Sequence, residues 1–289
     1  MRYEVTHGTH YTYAHEVSVS HHVARLTPRA LPRQQCLECE LQVEPTPALA
    51  HRRDDYFGNL ATFLTVEGPH SQLLITARSV VEVTSPSLPI PSETPAWEVV
   101  RGLCREGEEG AVEGSEFVFR SPLIPSRAEF ADYANSSFVA GRPILESVVD
   151  LTARIFREFK FDPKATTVAT PLEQVLKERR GVCQDFAHFQ IACLRSLGLP
   201  ARYVSGYLET LPPPGKPKLV GADASHAWVQ AWCAGAGWID VDPTNNVLPT
   251  DRHITVAWGR DFSDVSPIRG VIVGGGDHEL KVAVDVAPV

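Results

Sequence analysis

The stretch GVCQDFAHFQIACLRSLGLPARYVSGY, residues 181–207, contains two cysteines in different settings. Cys183 follows a Gly-Val step, whereas Cys193 lies inside a run whose apolar residues recur at helical spacing. Gly198 and Pro200 end that run, so the pattern predicts a helix that begins at Cys183 and a strand over 201–209. A thiol at a helix N-terminus is favoured as the reactive thiolate, and a thiol on a buried stripe is not. Cys183 is therefore the candidate nucleophile, and Cys193 is a core residue.

A nucleophilic cysteine needs a base within reach, and the strand SHAWVQAWC (225–233) offers one. His188 is nearer in sequence, but five residues of helix turn it about 140° away from Cys183. His226 begins the strand and shares one face with Trp228, Gln230 and Trp232. A face with one histidine and two tryptophans beside a helix N-terminus is typical of a cleft wall. His226 is the candidate base, with Trp228 and Trp232 as candidate cleft residues.

The next segment, GWIDVDPT (237–244), supplies carboxylates that can orient the base. The AGAG turn at 234–237 returns the chain antiparallel to the histidine strand. Asp240 and Asp242 have the same parity, so both are candidates to face His226, and the register is not readable from sequence. We favour Asp242, because it stands at the end of the strand, before Pro243, and keep Asp240 as a cleft residue. Cys, His and Asp in these roles form a catalytic triad.

Four motifs together resemble the transglutaminase-like superfamily: RRGVCQDFAH, LGLPARYVSGYLE, ASHAWVQAW and GWIDVDPTNN. They lie in the family's order within about residues 145–250, and on that pattern Cys183, His226 and Asp242 fall on the catalytic triad. Two earlier segments, THYTYAHEVSVSHHVARLTPR and RRDDYFGNLATFL, resemble the β-rich N-terminal domain of a bacterial subgroup. The resemblance implies a papain-like core, with the thiol on a helix and its partners on an antiparallel sheet.

The resemblance implies acyl transfer on a peptide-type amide through a thioester on Cys183. The Cys183 backbone N–H would hold the oxyanion, with the Gln184 side chain as candidate second donor. We expect a peptide or protein substrate, no cofactor, and hydrolysis in preference to glutamine–lysine crosslinking. Animal crosslinking enzymes require calcium, and no acidic loop of that kind is visible. The alternatives are a peptide-binding module without turnover and an acyltransferase with a thioester donor.

Composition limits the other function classes. The 289 residues include 27 Lys+Arg and 35 Asp+Glu, a net charge of −8, which argues against nucleic acid or an anionic membrane as partner. The chain shows neither a secretory-signal pattern nor an apolar run of about 18 residues, so we expect a cytoplasmic protein.

The six cysteines of a cytoplasmic protein are expected to be free thiols. CLEC (36–39) lacks the second pair of a zinc site, so no metal site is predicted. The oligomeric state is not encoded in any visible pattern.

The chain reads as an α+β protein of two domains. Residues 1–84 alternate with turn signals and predict a β-sandwich-like N-terminal domain. Residues 85–142 begin with a Pro- and Ser-rich segment and read as a linker with short helices. Residues 143–289 form the predicted catalytic core, with a helix over 143–160 and a C-terminal hairpin turning at 274–277.

Overall fold

The computed structural model describes residues 1–107, 111–210 and 225–289. The N-terminal part holds four strands: β1 (Arg2–Ala24), β2 (Gln34–Glu44), β3 (Leu49–Asp54) and β4 (Leu60–Val83). The middle of the chain holds helices α1 (Trp97–Glu106), α2 (Val112–Ser115), α3 (Ala128–Asn135) and α4 (Ile144–Glu158), and two short 3-10 turns. No helix in these ranges is both long and apolar enough to span a bilayer.

The remaining elements are three helices and eight strands of the described residues. They are β5 (Lys160–Phe161), α5 (Leu172–Glu178), β6 (Arg180–Gly181), α6 (Cys183–Ser196), β7 (Ala201–Leu208), β8 (Ser225–Cys233), β9 (Gly237–Val241), β10 (His253–Gly259), α7 (Phe262–Val265), β11 (Ile268–Gly274) and β12 (His278–Pro288). The helices predicted at 143–160 and from Cys183 are both confirmed, and Gly198 follows the second with a φ of 78°.

The N-terminal sheet is built on two long strands. β1 and β4 pair antiparallel along most of their length, and the register shifts in the region of residues 12–19. Each half of this ribbon has different neighbours: β2 and β12 flank one half, and β3 and β11 flank the other. Apolar side chains of both halves form one buried cluster, which includes Tyr13, Val17, Leu64, Leu73 and Ile75. The bent sheet therefore encloses its own core, which confirms the sandwich-like fold.

The prediction that the C-terminal strands form a hairpin is wrong. β11 pairs with residues 17–24 of β1, and β12 pairs with residues 3–13 of the same strand, both antiparallel. The two strands therefore run in the same direction, one after the other, along one edge of β1. Gly274, Gly275 and Gly276 have φ values of 96°, 81° and 64° and carry the chain around the bend of the sheet. A glycine cluster permits such a bend as readily as a reversal, so the sequence pattern could not separate the two.

The predicted catalytic core contains a four-stranded antiparallel sheet in the order β10-β7-β8-β9. Helix α6 packs against β7 and β8, and it buries Phe186, Phe189 and Cys193. The segment 85–142, predicted as a linker with short helices, contributes Phe130 and Tyr133 to the same core. Part of that segment is therefore packed structure, because its helices carry an apolar face.

The N-terminal sheet is fixed to the edge of the core sheet by two side-chain amides. Gln34 bonds both backbone groups of Thr255, with both distances 2.7 Å. Asn59 bonds both backbone groups of Trp258, at 2.8 and 2.9 Å. Each amide takes the place of a neighbouring strand along β10, so the backbone groups of Thr255 and Trp258 that face away from β7 are satisfied.

The close packing of β7 gives a stability prediction. A Cβ at Gly206 would lie 2.5 Å from Cη2 of Trp228 and would also collide with the Ile254 carbonyl oxygen. We expect Gly206→Ala to destabilise the fold by about 3 kcal/mol, because neither the backbone nor the buried indole can move aside freely. Gly102→Ala is the matched control: it lies within α1 and has no atom within 4 Å of its added Cβ. It should stabilise by about 0.5–1 kcal/mol, and chemical denaturation of both variants measures the difference.

Candidate active site

Cys183 lies in the first turn of α6, and local bonds fix where this helix starts. The Asp185 carboxylate accepts hydrogen bonds from the Val182 backbone N–H at 2.8 Å and the Thr166 hydroxyl at 2.6 Å. Burial raises the pKa of Asp185, and these two bonds partly offset the rise. A Cβ at Gly181 would lie 2.5 Å from Asp185 Oδ2, so glycine before Val182 leaves room for the cap. Cys183 is half-buried at this helix N-terminus, whereas Cys193 is buried, as predicted.

His226, at the start of β8, connects Cys183 to an acid. Its Nε2 lies 2.8 Å from Asp242 Oδ2, and its ring lines the same cavity as the Cys183 side chain. Burial opposes the charged ring, but hydrogen bonds and negative charge from Asp242 and Cys183 outweigh burial. Together they raise the pKa of His226 to about 10. The imidazole is therefore held as an imidazolium at neutral pH, between a sulfur and a carboxylate.

Asp242 is fully buried and heavily hydrogen-bonded. Its Oδ1 accepts from the backbone N–H groups of Thr244 and Asn245, at 2.8 and 3.2 Å. Its Oδ2 accepts from His226 and from the Asn245 side chain, the latter at 2.7 Å. Burial alone would raise the pKa of Asp242, but the hydrogen bonds and the imidazolium charge hold that pKa far below its ordinary value. The carboxylate stays ionised and orients the His226 ring.

The register of β8 and β9 decides which aspartate meets the histidine. Gln230 pairs with Asp240, and Val229 pairs with Val241. His226 then meets Asp242 as a diagonal neighbour, and Trp228 meets Asp240 in the same way, with its indole Nε1 2.7 Å from Oδ1. The structure therefore brings Cys183, His226 and Asp242 together, in the combination that the sequence favoured.

Three other predicted cleft residues lie elsewhere. Asp240 bonds the Trp228 indole on one oxygen and Arg33 of the N-terminal part, at 3.0 Å, on the other. Trp228 is fully buried, and Trp232 is 7% exposed within the main core. The prediction that these three residues line the cleft is wrong. The face of β8 that carries His226 is already buried inside the protein at Trp228, two residues further along the strand. Gln184 does line the cavity beside Cys183, so its oxyanion role stays a prediction.

A second histidine, missed in the sequence, shares the carboxylate. His253 Nε2 lies 3.2 Å from Asp242 Oδ2, the same oxygen that His226 contacts. His253 is 3% exposed, and its ring packs edge-on against Trp228, with centroids 5.3 Å apart. No motif marked this histidine: it begins β10, and only the sheet order brings it beside β8. His226, Asp242 and His253 each offer one donor atom, all within 4.8 Å of one another, so they could also hold a metal ion.

We expect His253 to position Asp242, because its hydrogen bond is among the causes that lower the Asp242 pKa. His253→Phe keeps a ring but removes the donor, so the pKa of Asp242 should rise. Alkylation of Cys183 should slow by about 10-fold. As the pH is lowered, the fall in the alkylation rate should begin at a higher pH than in the parent protein. His253→Gln retains an N–H donor and should recover part of the rate. Alkylation rates of both variants, measured from pH 4 to 9, test this role. It would be refuted if the alkylation rate of His253→Phe fell in acid at the same pH as that of the parent protein.

The triad opens on a cavity of about 330 Å³ between the core and the N-terminal sheet. The core supplies Cys183, Gln184, Tyr203 and His226, and β1 supplies His7 on the opposite wall. A larger depression of about 650 Å³, lined by Arg25, Arg260 and other charged residues, holds none of the triad. The smaller cavity is the one in which a bound molecule would touch the thiol.

Comparisons with known proteins agree with this geometry. Residues 3–82 match the bacterial transglutaminase-like N-terminal region, and residues 132–243 match the transglutaminase-like superfamily. An uncharacterised protein of Mycobacterium tuberculosis is 40% identical over 297 residues, covering 99% of this chain and 93% of the relative. A protein-glutamine gamma-glutamyltransferase of Pseudomonas aeruginosa is 36% identical over 107 residues, or 34% of this chain and 16% of that protein.

A solved structure shares the whole fold. It is a candidate cysteine protease from Cytophaga hutchinsonii, with a TM-score of 0.76 and 21% identity, covering 99% of this chain and 90% of that one. At this identity the match shows the fold. The sequence matches over both parts of the chain, together with this fold, show that the chain belongs to the transglutaminase-like superfamily and carries the bacterial transglutaminase-like N-terminal region.

Proposed function

We propose that this protein catalyses acyl transfer from a peptide-type amide through a thioester on Cys183, with water as the usual acceptor. The observation that carries the proposal is the series Cys183, His226 and Asp242: the first two line one open cavity, and His226 Nε2 lies 2.8 Å from Asp242 Oδ2. This series places a sulfur, an imidazolium and a carboxylate in the order that nucleophilic catalysis requires.

In the first step, the Cys183 sulfur forms a bond to the substrate carbonyl carbon, and the carbonyl π electrons move onto oxygen. The first N–H groups of a helix lack intrahelical partners, so the Cys183 N–H can donate to this oxyanion. When the oxyanion collapses, the C–N bond breaks, and His226 gives its proton to the departing amine. The products are a free amine and an S-acyl cysteine, with a neutral His226.

In the second step, neutral His226 takes a proton from water, and the hydroxide oxygen bonds to the acyl carbon. The C–S bond then breaks, releasing a carboxylic acid and returning the sulfur as a thiolate beside an imidazolium. A primary amine in place of water would give a new amide by the same route. The similarity to a protein-glutamine gamma-glutamyltransferase over 34% of this chain supports this second outcome for the same site.

Mass spectrometry of the intact protein tests the proposal. The protein is mixed with a panel of peptide amides and activated peptide esters, quenched in acid and weighed. We expect an added mass equal to the acyl group, located on Cys183 by peptide mapping. Water enriched in 18O should place the label in the released acid if hydrolysis operates, whereas added glycine amide should appear in the product if amine transfer operates. Absence of any acyl adduct and of any turnover across the panel would favour a binding module.

A further inference from the structure

The N-terminal sheet provides one wall of the cleft, on a single continuous face. On β1, Tyr3 and Val5 are buried in the main core, and His7, Thr9 and Tyr11 continue along that face into the cavity. These side chains point the same way because alternate residues of a strand share a face. The sheet therefore packs on the core at one end and separates from it near Cys183.

The outer strand β12 shows the same transition. Val284 and Val286 are 1% and 0% exposed, whereas Leu280 and Val282, on the same face, are 49% and 52% exposed and line the cavity. The two cleft residues thus leave apolar surface facing a space wide enough for a ligand side chain. Burial of that surface by a bound molecule would be favourable.

The described part of the cleft wall carries no full charge apart from the triad. Among the described residues that line the cavity there is no aspartate, glutamate, lysine or arginine. Burial lowers the pKa of His7 to about 4, so its ring is neutral at pH 7. Its two nitrogens lie 3.0 Å from the Tyr207 hydroxyl and 3.2 Å from the Thr9 hydroxyl, so it has partners within the protein. A charged ligand group placed against Leu280 and Val282 would meet no opposite charge on the described part of the wall that the N-terminal sheet provides.

We propose that the N-terminal sheet forms the subsite that selects the acyl donor, and that it accepts an uncharged, apolar side chain beside the reacting carbonyl. Leu280 and Val282 of β12 and Tyr11 of β1 are its specificity-determining residues. This inference rests on the proposed function, since the side chain is held beside the carbon that Cys183 attacks. It also gives the N-terminal region a role in choosing the substrate.

Two peptidyl chloromethyl ketones test the proposal; they differ only in the residue beside the electrophile, leucine in one and glutamate in the other. Alkylation of Cys183 is followed by intact mass, and the second-order rate constants are compared at pH 7. We expect the leucine reagent to react at least about 10-fold faster than the glutamate reagent. Equal rates, or a faster glutamate reagent, would overturn the inference for the protein as it exists.

A charge introduced on β12 should change this preference. Val282→Lys places a cation in the cleft, so it should slow the leucine reagent, speed the glutamate reagent and reduce the ratio by at least about 10-fold. Val273→Lys is the matched control, because Val273 is 56% exposed on β11 and lies outside the cavity. It should leave the ratio unchanged, and thermal melts of both variants should match the parent protein. Val282→Lys with an unchanged ratio would overturn the assignment.

Failure of the proposed function gives a different result. If Cys183 reacts with both reagents no faster than a small peptide thiol does, the acyl-transfer proposal fails and the subsite has no reaction to serve. If Cys183 reacts rapidly with both reagents at the same rate, the acyl-transfer proposal stands and the apolar subsite is refuted.

Discussion

Cys183→Ala should abolish acylation of the protein by activated peptide esters, with a loss of at least about 10⁴-fold in turnover, the scale seen when a nucleophile is removed from a triad. The reason is that Cys183 is the half-buried thiol that lines the cavity together with His226. Its removal leaves His226 and Asp242 without a nucleophile. Intact mass after acid quench measures the adduct, and product release measures turnover.

Cys193→Ala is the matched control. Cys193 lies on the same helix and is 0% exposed, and burial raises the pKa of its thiol well above the ordinary value. We expect this variant to retain acylation and to lose about 1 kcal/mol of stability from the small cavity it leaves. Acylation that persists in Cys183→Ala, or that disappears in Cys193→Ala while the fold is intact, would contradict the assignment of the nucleophile.

Asp242→Asn should lower turnover by about 10³- to 10⁴-fold, because an amide of the same shape can present its NH₂ group to His226 and cannot stabilise the imidazolium. The charge of Asp242 is among the causes that raise the pKa of His226 to about 10. Without that charge the pKa of His226 should fall, so the loss of activity on the alkaline side should begin at a lower pH. A pH profile of turnover from pH 5 to 10.5 measures the shift.

Asp240→Asn separates catalysis from stability. Asp240 lies two residues earlier and bonds Trp228 and Arg33 instead of a triad member. This ion pair joins the N-terminal part to the core and is largely buried, so its loss should cost about 1–3 kcal/mol of stability. Turnover at 25 °C should stay within about twofold of the parent protein, as expected for a substitution outside the catalytic group. A loss of turnover in Asp240→Asn equal to that in Asp242→Asn would refute the choice between the two carboxylates.

The sequence predicted the elements whose signals are local. The apolar periodicity after Cys183 indicated α6, and the alternation around His226 indicated β8, and both are present in the structure. The glycine-rich segment at 274–277 was misleading, since the same residues that can reverse a chain here bend one edge of the N-terminal sheet. Local conformational freedom is visible in a sequence, but the direction that the chain takes afterwards depends on the strand it finds to pair with.

The site shows the same division. Asp240 and Asp242 lie two residues apart, so alternation along the strand alone could not distinguish them. The register of β8 against β9 pairs Asp240 with the Trp228 indole and Asp242 with the His226 ring. His253 reaches Asp242 because β10 and β8 lie on either side of β7, an order that no short motif encodes.

By itself, the amino-acid sequence determined that a thiol begins a helix, that a histidine begins a strand, and that the chain resembles the transglutaminase-like superfamily. These features depend on periodicity and motifs within a few tens of residues. The tertiary structure alone decided that residues near the C-terminus, Leu280 and Val282, stand opposite Cys183 across the cleft. That placement results from pairing of β12 with β1, and the free energy of such pairing is spread over two whole strands that are distant in sequence.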